Sequence, residues 1–470
     1  MRNRNIDMTK GKLLPGMFLY TLPILFSNIL ALLYHTADQI VVGQFSTHAA
    51  FAAVGSTGAL SNLFTVLFYG ISAGGCIVVA QYYGARDGKN VSETVHTCIL
   101  VSIIGGVIVA VFGNLFCEDI LALMGTPEEI LPLAAKYMHI IFVSQIFGIY
   151  YAFVAGIIRA SGDSNRPFLI LLFTGLVNVL LNLFFVIVCG MDVDGVAYAT
   201  LIGAALNALF GTLILLRSSD SIRLDIKRLR IHKDKFLKVL AYGIPQGLQS
   251  ILFAVSNIAV QTAINSLSAV GAVVNGVHID GVSLVGGNAA GGSVEGFVYN
   301  AMTSVTLSTR NFVAANYGAR QYKRCDSSLL TGEFLTFSFG AVIGWLAILF
   351  SDTILGIYQP TDVNAVIYGG ARVFMICSLY FLCGMYESLQ AAMRGIGSSW
   401  LPTISVLITV GLGRILWLTF IFPHYLTPFM LYVIYPISWA TTVVVMTVGY
   451  LLVRKKRFAA NEAQYAQATA

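Results

Sequence analysis

The chain has 470 residues, 57% of them hydrophobic and only 11% charged, with a net charge of +6. Soluble domains carry about 25% charged residues, so a water-facing surface around a chain this long is excluded and lipid must solvate most of it. The surplus of basic residues does not point to nucleic acid, because those residues punctuate long apolar runs as membrane topology requires.

Runs of roughly 20 mostly apolar residues cross ~30 Å of hydrocarbon. In chain order they fall at 13–42, 50–82, 94–116, 131–158, 167–189 and 195–217. Six more follow at 236–266, 284–316, 327–350, 366–394, 400–422 and 427–453. The expectation is an all-α integral membrane protein of twelve transmembrane helices in two pseudo-symmetric six-helix bundles. Its N-terminal lobe is 1–217, its linker 218–235 and its C-terminal lobe 236–470. The first run is too long for a cleavable signal, and Lys10 and Lys12 flank it.

Charge placement orients these spans. If the N-terminus is cytoplasmic, Arg2, Arg4, Lys10, Lys12, Arg86, Lys89, Arg159 and Arg166 all lie inside, with the basic run 217–238, Arg320, Lys323, Arg324, Arg394 and the cluster 454–457. The outer connections then hold Lys136 alone among bases, beside acids such as Glu118, Asp192, Asp194, Asp352 and Asp362. The positive-inside rule therefore predicts that both termini are cytoplasmic. The basic linker reads either as an amphipathic surface helix or as a solvated connector. The seven cysteines lack C-x-x-C spacing and read as buried thiols, not metal ligands.

The chain repeats itself. Tyr83-Gly84-Ala85-Arg86 returns as Tyr317-Gly318-Ala319-Arg320, each after a long apolar run. Arg159-Ala160-Ser161-Gly162 returns as Arg394-Gly395-Ile396-Gly397, and Pro23 as Pro245. The glycine-rich stretch 270–287 supplies an insertion peculiar to the second half. Six spans per repeat make both halves enter from the same side, which implies parallel repeats with a transport path between them.

Ionisable groups inside hydrocarbon cost roughly 2.5–3.5 kcal/mol or more, so each needs a reason. At ~1.5 Å per residue, Asp38, Asn182 and Thr200 come out at similar depths, about 7–10 Å from the outer ends of their helices. Asn178 lies one turn deeper on the Asn182 face. Asp38 either shares that layer or reaches the outer surface, and His35, one turn before it, reads as a structural histidine or as a group that tunes it. Glu295 stands about 16 Å deep, where it is expected to line the substrate path, if its helix begins near 284, and is a first-turn acid if the helix begins just before it. Gln246, Ser250, Asn257 and Gln261 form one polar stripe at helical spacing, suited to lining a path or to bonding neighbouring helices. Pro23 and Pro245 are expected to kink their helices. Arg310 and Glu387 come out at matched depth and are expected to pair. Arg414 has no partner that the sequence identifies.

Several of these residues fall in motifs. Leu33-Tyr34-x-x-x-Asp38 with Gly43, the two Tyr-Gly-Ala-Arg loops, Arg159-x-x-Gly162-Asp163, Asn178-x-x-x-Asn182 and Gly195-Val196-Ala197-x-Ala199-Thr200 occur in order through nearly the whole chain. In this the sequence resembles the MATE (multidrug and toxic compound extrusion) antiporters. Asn288-Ala289-Ala290 with Glu295-Gly296-Phe297-Val298-Tyr299 resembles a branch common in Gram-positive bacteria. The resemblance implies a secondary transporter of the bacterial cytoplasmic membrane that exports amphipathic organic cations against inward protons or sodium. It also implies a cation site on Asp38, Asn178, Asn182 and Thr200. The chain departs from the pattern at Asn182, where other members carry Asp, which leaves one carboxylate.

No phosphate loop is present, the nearest approach, Gly84 to Lys89, being one residue short. Nor does a nucleophile–base or metal-ligand cluster appear, so neither an enzyme nor a resident cofactor is expected. The coupling ion is expected to be a proton, with sodium the alternative, and the protein is expected to act as a monomer. The rival reading is a flippase for lipid-linked oligosaccharides. Its cargo would demand a basic cavity, whereas the deep charges here include Asp38, Glu295 and Glu387.

Overall fold

Hydrocarbon offers no water to a backbone N–H or C=O, so each apolar run must satisfy its own peptide groups as helix. The computed structural model describes residues 5–45 and 47–469. Arg2, Arg4 and the side chain of His35 lie outside the description.

The long helices are α1 Leu13–Phe45, α2 His48–Gly84, α3 Gly88–Leu115, α4 Leu131–Ala160, α5 Asn165–Leu183 and α6 Val193–Leu216. They are followed by α7 Lys233–Val270, α8 Gly281–Gly318, α9 Tyr322–Leu349, a divided α10, α11 from Trp400, and α12 Ile434–Thr469. α10 consists of Val363–Cys377 and Phe381–Gly395, bent by 44° at the break. α5 continues to Val188, and α11 towards His424, through wider π-type turns. Among the described residues, ten helices are long and apolar enough to span a membrane, and the bent pair makes an eleventh. The twelfth, α8, is 38 residues long but rich in Gly, Ser, Thr and Asn. Length qualifies it where composition does not.

The insertion before α8 is a β-hairpin. Strands Ala272–Val274 and Val277–Ile279 pair antiparallel about Asn275-Gly276, both with positive φ. Asn-Gly is the residue pair that a type I′ turn selects. Asp280 then caps α8, accepting from the N–H groups of Val282 and Ser283 at 2.9 and 3.0 Å. The linker forms no amphipathic helix. It is irregular, with a turn closed by Arg223 N–H donating to the Asp220 carbonyl and a short helical turn, Ile226–Arg228, and is tied to α3 where Asp225 N–H donates to His96 and His232 N–H to Thr97.

The repeated motifs share a backbone conformation as well as letters. Arg86 and Arg320 both adopt left-handed φ, 57° and 58°, and Gly162 and Gly397 both have positive φ, 93° and 83°. Non-glycine residues rarely take φ above zero, so the same exception in both halves marks one helix–loop–helix template used twice.

Two compact units emerge, one of Met1–Thr9 with Leu22–Leu248 and one of Lys10–Thr21 with Gln249–Ala470. The lobe limits 1–217 and 236–470 follow the repeat, whereas the units follow packing. They part company beside Pro23 in α1 and Pro245 in α7, the prolines inside those helices.

Within the first unit, Gly70-x-x-x-Gly74 of α2 lies against Gly243-x-x-x-Gly247 of α7. A Cβ on Gly74 would stand 2.7 Å from Gly243 Cα. Small residues let membrane helices meet backbone to backbone, where dispersion replaces the missing hydrophobic drive. Gly74→Ala is therefore expected to force these helices apart at about 1–3 kcal/mol, lowering the thermal unfolding midpoint of the purified protein. An unchanged midpoint would contradict the contact.

Candidate functional site

The expected layer in the first unit is present. Asn182 Nδ2 donates to Asp38 Oδ1 at 2.5 Å and to Asn178 Oδ1 at 3.4 Å. Asp38 is half-buried, while Asn178 and Asn182 are buried. α1 approaches α5 closely because Gly175 has no side chain: a Cβ there would strike the ring of Tyr34, whose hydroxyl donates to the Leu172 carbonyl at 3.3 Å. Tyr34 and Asp38 are one turn apart, so this contact also brings Asp38 to Asn182. α6 is joined to α5 by Thr174 donating to Asn207 at 2.7 Å, and Gly203 lies beside Asn178. Thr200 lies one turn from Gly203 on this face. Tyr137 of α4 lies close enough to feel the charge of Asp38.

Two oxygens in this layer are unsatisfied. Asn182 Oδ1 and Thr200 Oγ1 are buried with no hydrogen-bond partner. Just outside the spans, burial and the neighbouring Asp194 push the carboxyl of Asp192 above its ordinary range. Asp194 itself is paired with Lys136 at 2.8 Å.

In the second unit, α8 begins at Gly281, so Glu295 is a mid-helix acid. It is not a bare charge. Arg372 of α10 binds it at 2.8 Å and also donates to the carbonyl of Asn288 at 2.7 Å. Tyr380, at the break in α10, donates to Glu295 at 3.2 Å, and Tyr432 donates to Asn288 Oδ1 at 2.9 Å. Glycines make the crossing possible. Gly291 and Gly292 lie directly against the Arg372 side chain, and Gly287 against the backbone of Ala365 and Gly369.

Arg310 and Glu387 do not form the expected ion pair. The base whose charge acts on Glu387 is Arg394, seven residues along the same helix and therefore on the same face. Matched depth on two helices says nothing about rotation around them, whereas a two-turn spacing fixes it. Arg394 also donates to Gln249 at 2.8 Å. Arg414, left without a partner by the sequence, lies 4.0 Å from the centre of the Tyr435 ring, a cation–π contact.

Along α7, Gln246 and Ser250 are half-buried, whereas Asn257 and Gln261 are exposed. Gln261 donates to Asn265 at 3.0 Å. The residue that sequence reasoning missed is Glu333 in α9, whose two carboxylate oxygens are buried with no partner. A lone acid in the apolar run Leu329–Phe337 was the available signal.

A family model, MatE, matches residues 23–184 and 245–419, well over half the chain. The chain is 28% identical over 454 residues to the probable multidrug resistance protein YoeA of Bacillus subtilis (strain 168), covering 94% of each. It is 24% identical over 254 residues to the multidrug export protein MepA of Staphylococcus saprophyticus, 53% of this chain and 55% of that one. Among solved structures, a MOP superfamily transporter from Pyrococcus furiosus superposes with a TM-score of 0.85 over 98% of this chain and 99% of that one. At 19% identity that is a likeness of fold alone.

The Arg372–Glu295 pair generates a thermodynamic test. Breaking a largely buried pair on one side leaves a poorly compensated charge, at up to about 3–5 kcal/mol. Arg372→Gln and Glu295→Gln are each expected to lower the unfolding midpoint, and the double variant to recover much of the loss. Additive losses in this cycle would contradict direct coupling.

Proposed function

We propose that this chain, which belongs to the MatE family of membrane transporters, exports amphipathic organic cations and related drugs by antiport against inward protons. The observation that carries this reading is the Asp38–Asn182 contact beside two buried, unsatisfied oxygens, Asn182 Oδ1 and Thr200 Oγ1. A buried polar atom without a partner costs roughly 1–3 kcal/mol, so both oxygens are acceptors that a donor or a cation would relieve.

Asp38 supplies the charge of this layer. With Asp38 ionised, the Asn182 N–H steadies it. A proton delivered to Asp38 cancels the charge and turns the carboxyl into a donor for which unsatisfied oxygens are at hand. Loading thus changes both the charge and the hydrogen-bond polarity of the layer where α1, α5 and α6 meet. A ligand shifts a conformational equilibrium only through such a difference between states, and alternating access would use it. Asn182 presents its N–H, not its oxygen, to Asp38, which helps to hold a bare carboxylate.

Cargo follows a separate path in this reading. The exposed amides Asn257 and Gln261 of α7 suit varied ligands because they bind without committing charge. Both termini lie in the cytoplasm of a bacterium, and one chain suffices. A flippase for pyrophosphate-linked cargo would need free basic groups. Inside the spans of the second unit, half-buried Arg372 is instead engaged by Glu295, and buried Arg394 and Arg414 by Gln249 and Tyr435.

Asp38→Asn preserves shape and removes the charge. Cells expressing this variant are expected to retain a cationic dye at the level of cells lacking the protein, with membrane insertion unchanged. Undiminished efflux by Asp38→Asn would sink the assignment, and absence of dye efflux by the wild type would favour the flippase.

A further inference from the structure

Away from these sites, α5 and α6 of the first unit leave between them a cavity of about 770 Å³. Its walls are apolar, with Leu169, Phe173, Phe210 and Leu213 among them, and Arg166 and Arg217 complete the lining. Arg166 sits in the first turn of α5 and Arg217 caps the end of α6. The two helices are antiparallel neighbours, so both arginines stand at the same membrane face, and the apolar walls run inward from them.

The cavity is built, not incidental. Asp163 accepts from the N–H groups of Asn165 and Arg166 at 3.0 Å each and holds the guanidinium of Arg166 through Nε at 3.2 Å. That leaves the two terminal nitrogens of Arg166 for another anion. Arg217 is exposed and makes no ion pair among the described residues. Phe173 and Phe210 meet edge to face at 5.6 Å, while buried Ile170 packs with Tyr151 and Ala155 as the floor. Leu169 and Phe173 are more than half exposed, which on a membrane helix means exposed to lipid.

We propose that this groove seats one anionic phospholipid of the surrounding bilayer, with its phosphodiester on Arg166 and Arg217 and an acyl chain along the apolar walls. Charge complementarity selects the head: basic pockets between membrane helices take anionic headgroups, and arginine matches phosphate oxygens with two parallel hydrogen bonds. The walls select the tail, since a free phosphate would leave them empty. The volume lies within the ~300–1,000 Å³ of small-molecule sites.

The full-length protein, delipidated in uncharged detergent, would be titrated with phosphatidylglycerol and with phosphatidylcholine of identical chains, and bound lipid counted by native mass spectrometry. One retained phosphatidylglycerol is expected, in preference to phosphatidylcholine. Arg217→Gln, an exposed substitution that spares the Asp163–Arg166 contact, should weaken its retention about fivefold, the worth of one basic residue near an anionic surface. Leu213→Trp fills the groove and should weaken both lipids alike. Equal retention of phosphatidylglycerol by the wild type and Arg217→Gln would overturn the proposal, as would its displacement by millimolar inorganic phosphate.

Discussion

A charged or polar group inside hydrocarbon has no water to fall back on, so its own protein must hold it or bear the full cost of its desolvation. That constraint organises this molecule. Asp38 leans on Asn182, Glu295 on Arg372, Arg394 on Gln249, and Arg414 on the face of Tyr435. Each contact joins residues far apart in sequence, so the same bonds that satisfy these groups fix which helices are neighbours. Exceptions to that order remain, and four of them are oxygens of spans in the two units. Asn182 Oδ1, Thr200 Oγ1 and both oxygens of Glu333 are buried without partners. Two of these four lie in one layer with the half-buried carboxylate of α1, which is where a mobile cation would have work to do.

Such contacts depend on how closely backbones approach, and small residues set that distance. Gly175 admits the Tyr34 ring and so draws Asp38 towards Asn182. Gly287, Gly291 and Gly292 let α10 lie on α8 so that Arg372 reaches Asn288 and Glu295. Gly70 and Gly74 do the same for α2 against Gly243 and Gly247. The glycine-rich stretch before and within α8 therefore has two parts with different work, a hairpin turned at Asn275-Gly276 and a smooth helix face on which an arginine can lie.

Much of the helical frame was legible because hydrocarbon thickness and backbone satisfaction leave only one solution for a long apolar run. The Tyr-Gly-Ala-Arg repeat was legible as letters, and its left-handed arginines show why the letters recur. The break in α10 was not, since Ser378-Leu379-Tyr380 contains neither proline nor glycine, and the bend is fixed by tertiary contacts such as Tyr380 with Glu295. The hairpin could have been read, for Asn-Gly between Val-Val and Val-His-Ile is a strong turn signal. Pairings fared unevenly. Asn178 and Asn182 share a face by their four-residue spacing, and Asp38 was joined to them by depth together with the family resemblance, whereas Arg310 and Glu387 were matched on depth alone. Glu295 was placed by depth without a partner, because Arg372 is 77 positions away.

In the proposed function one carboxylate, Asp38, couples export to protons. The most direct measurement is exchange of a cationic dye in proteoliposomes that hold the purified protein in sodium-free buffer, with a pH gradient imposed across the membrane. Dye movement is expected to follow the pH gradient, to reverse when the gradient is reversed and to be absent from Asp38→Asn. Exchange driven only by a sodium gradient at constant pH would contradict it.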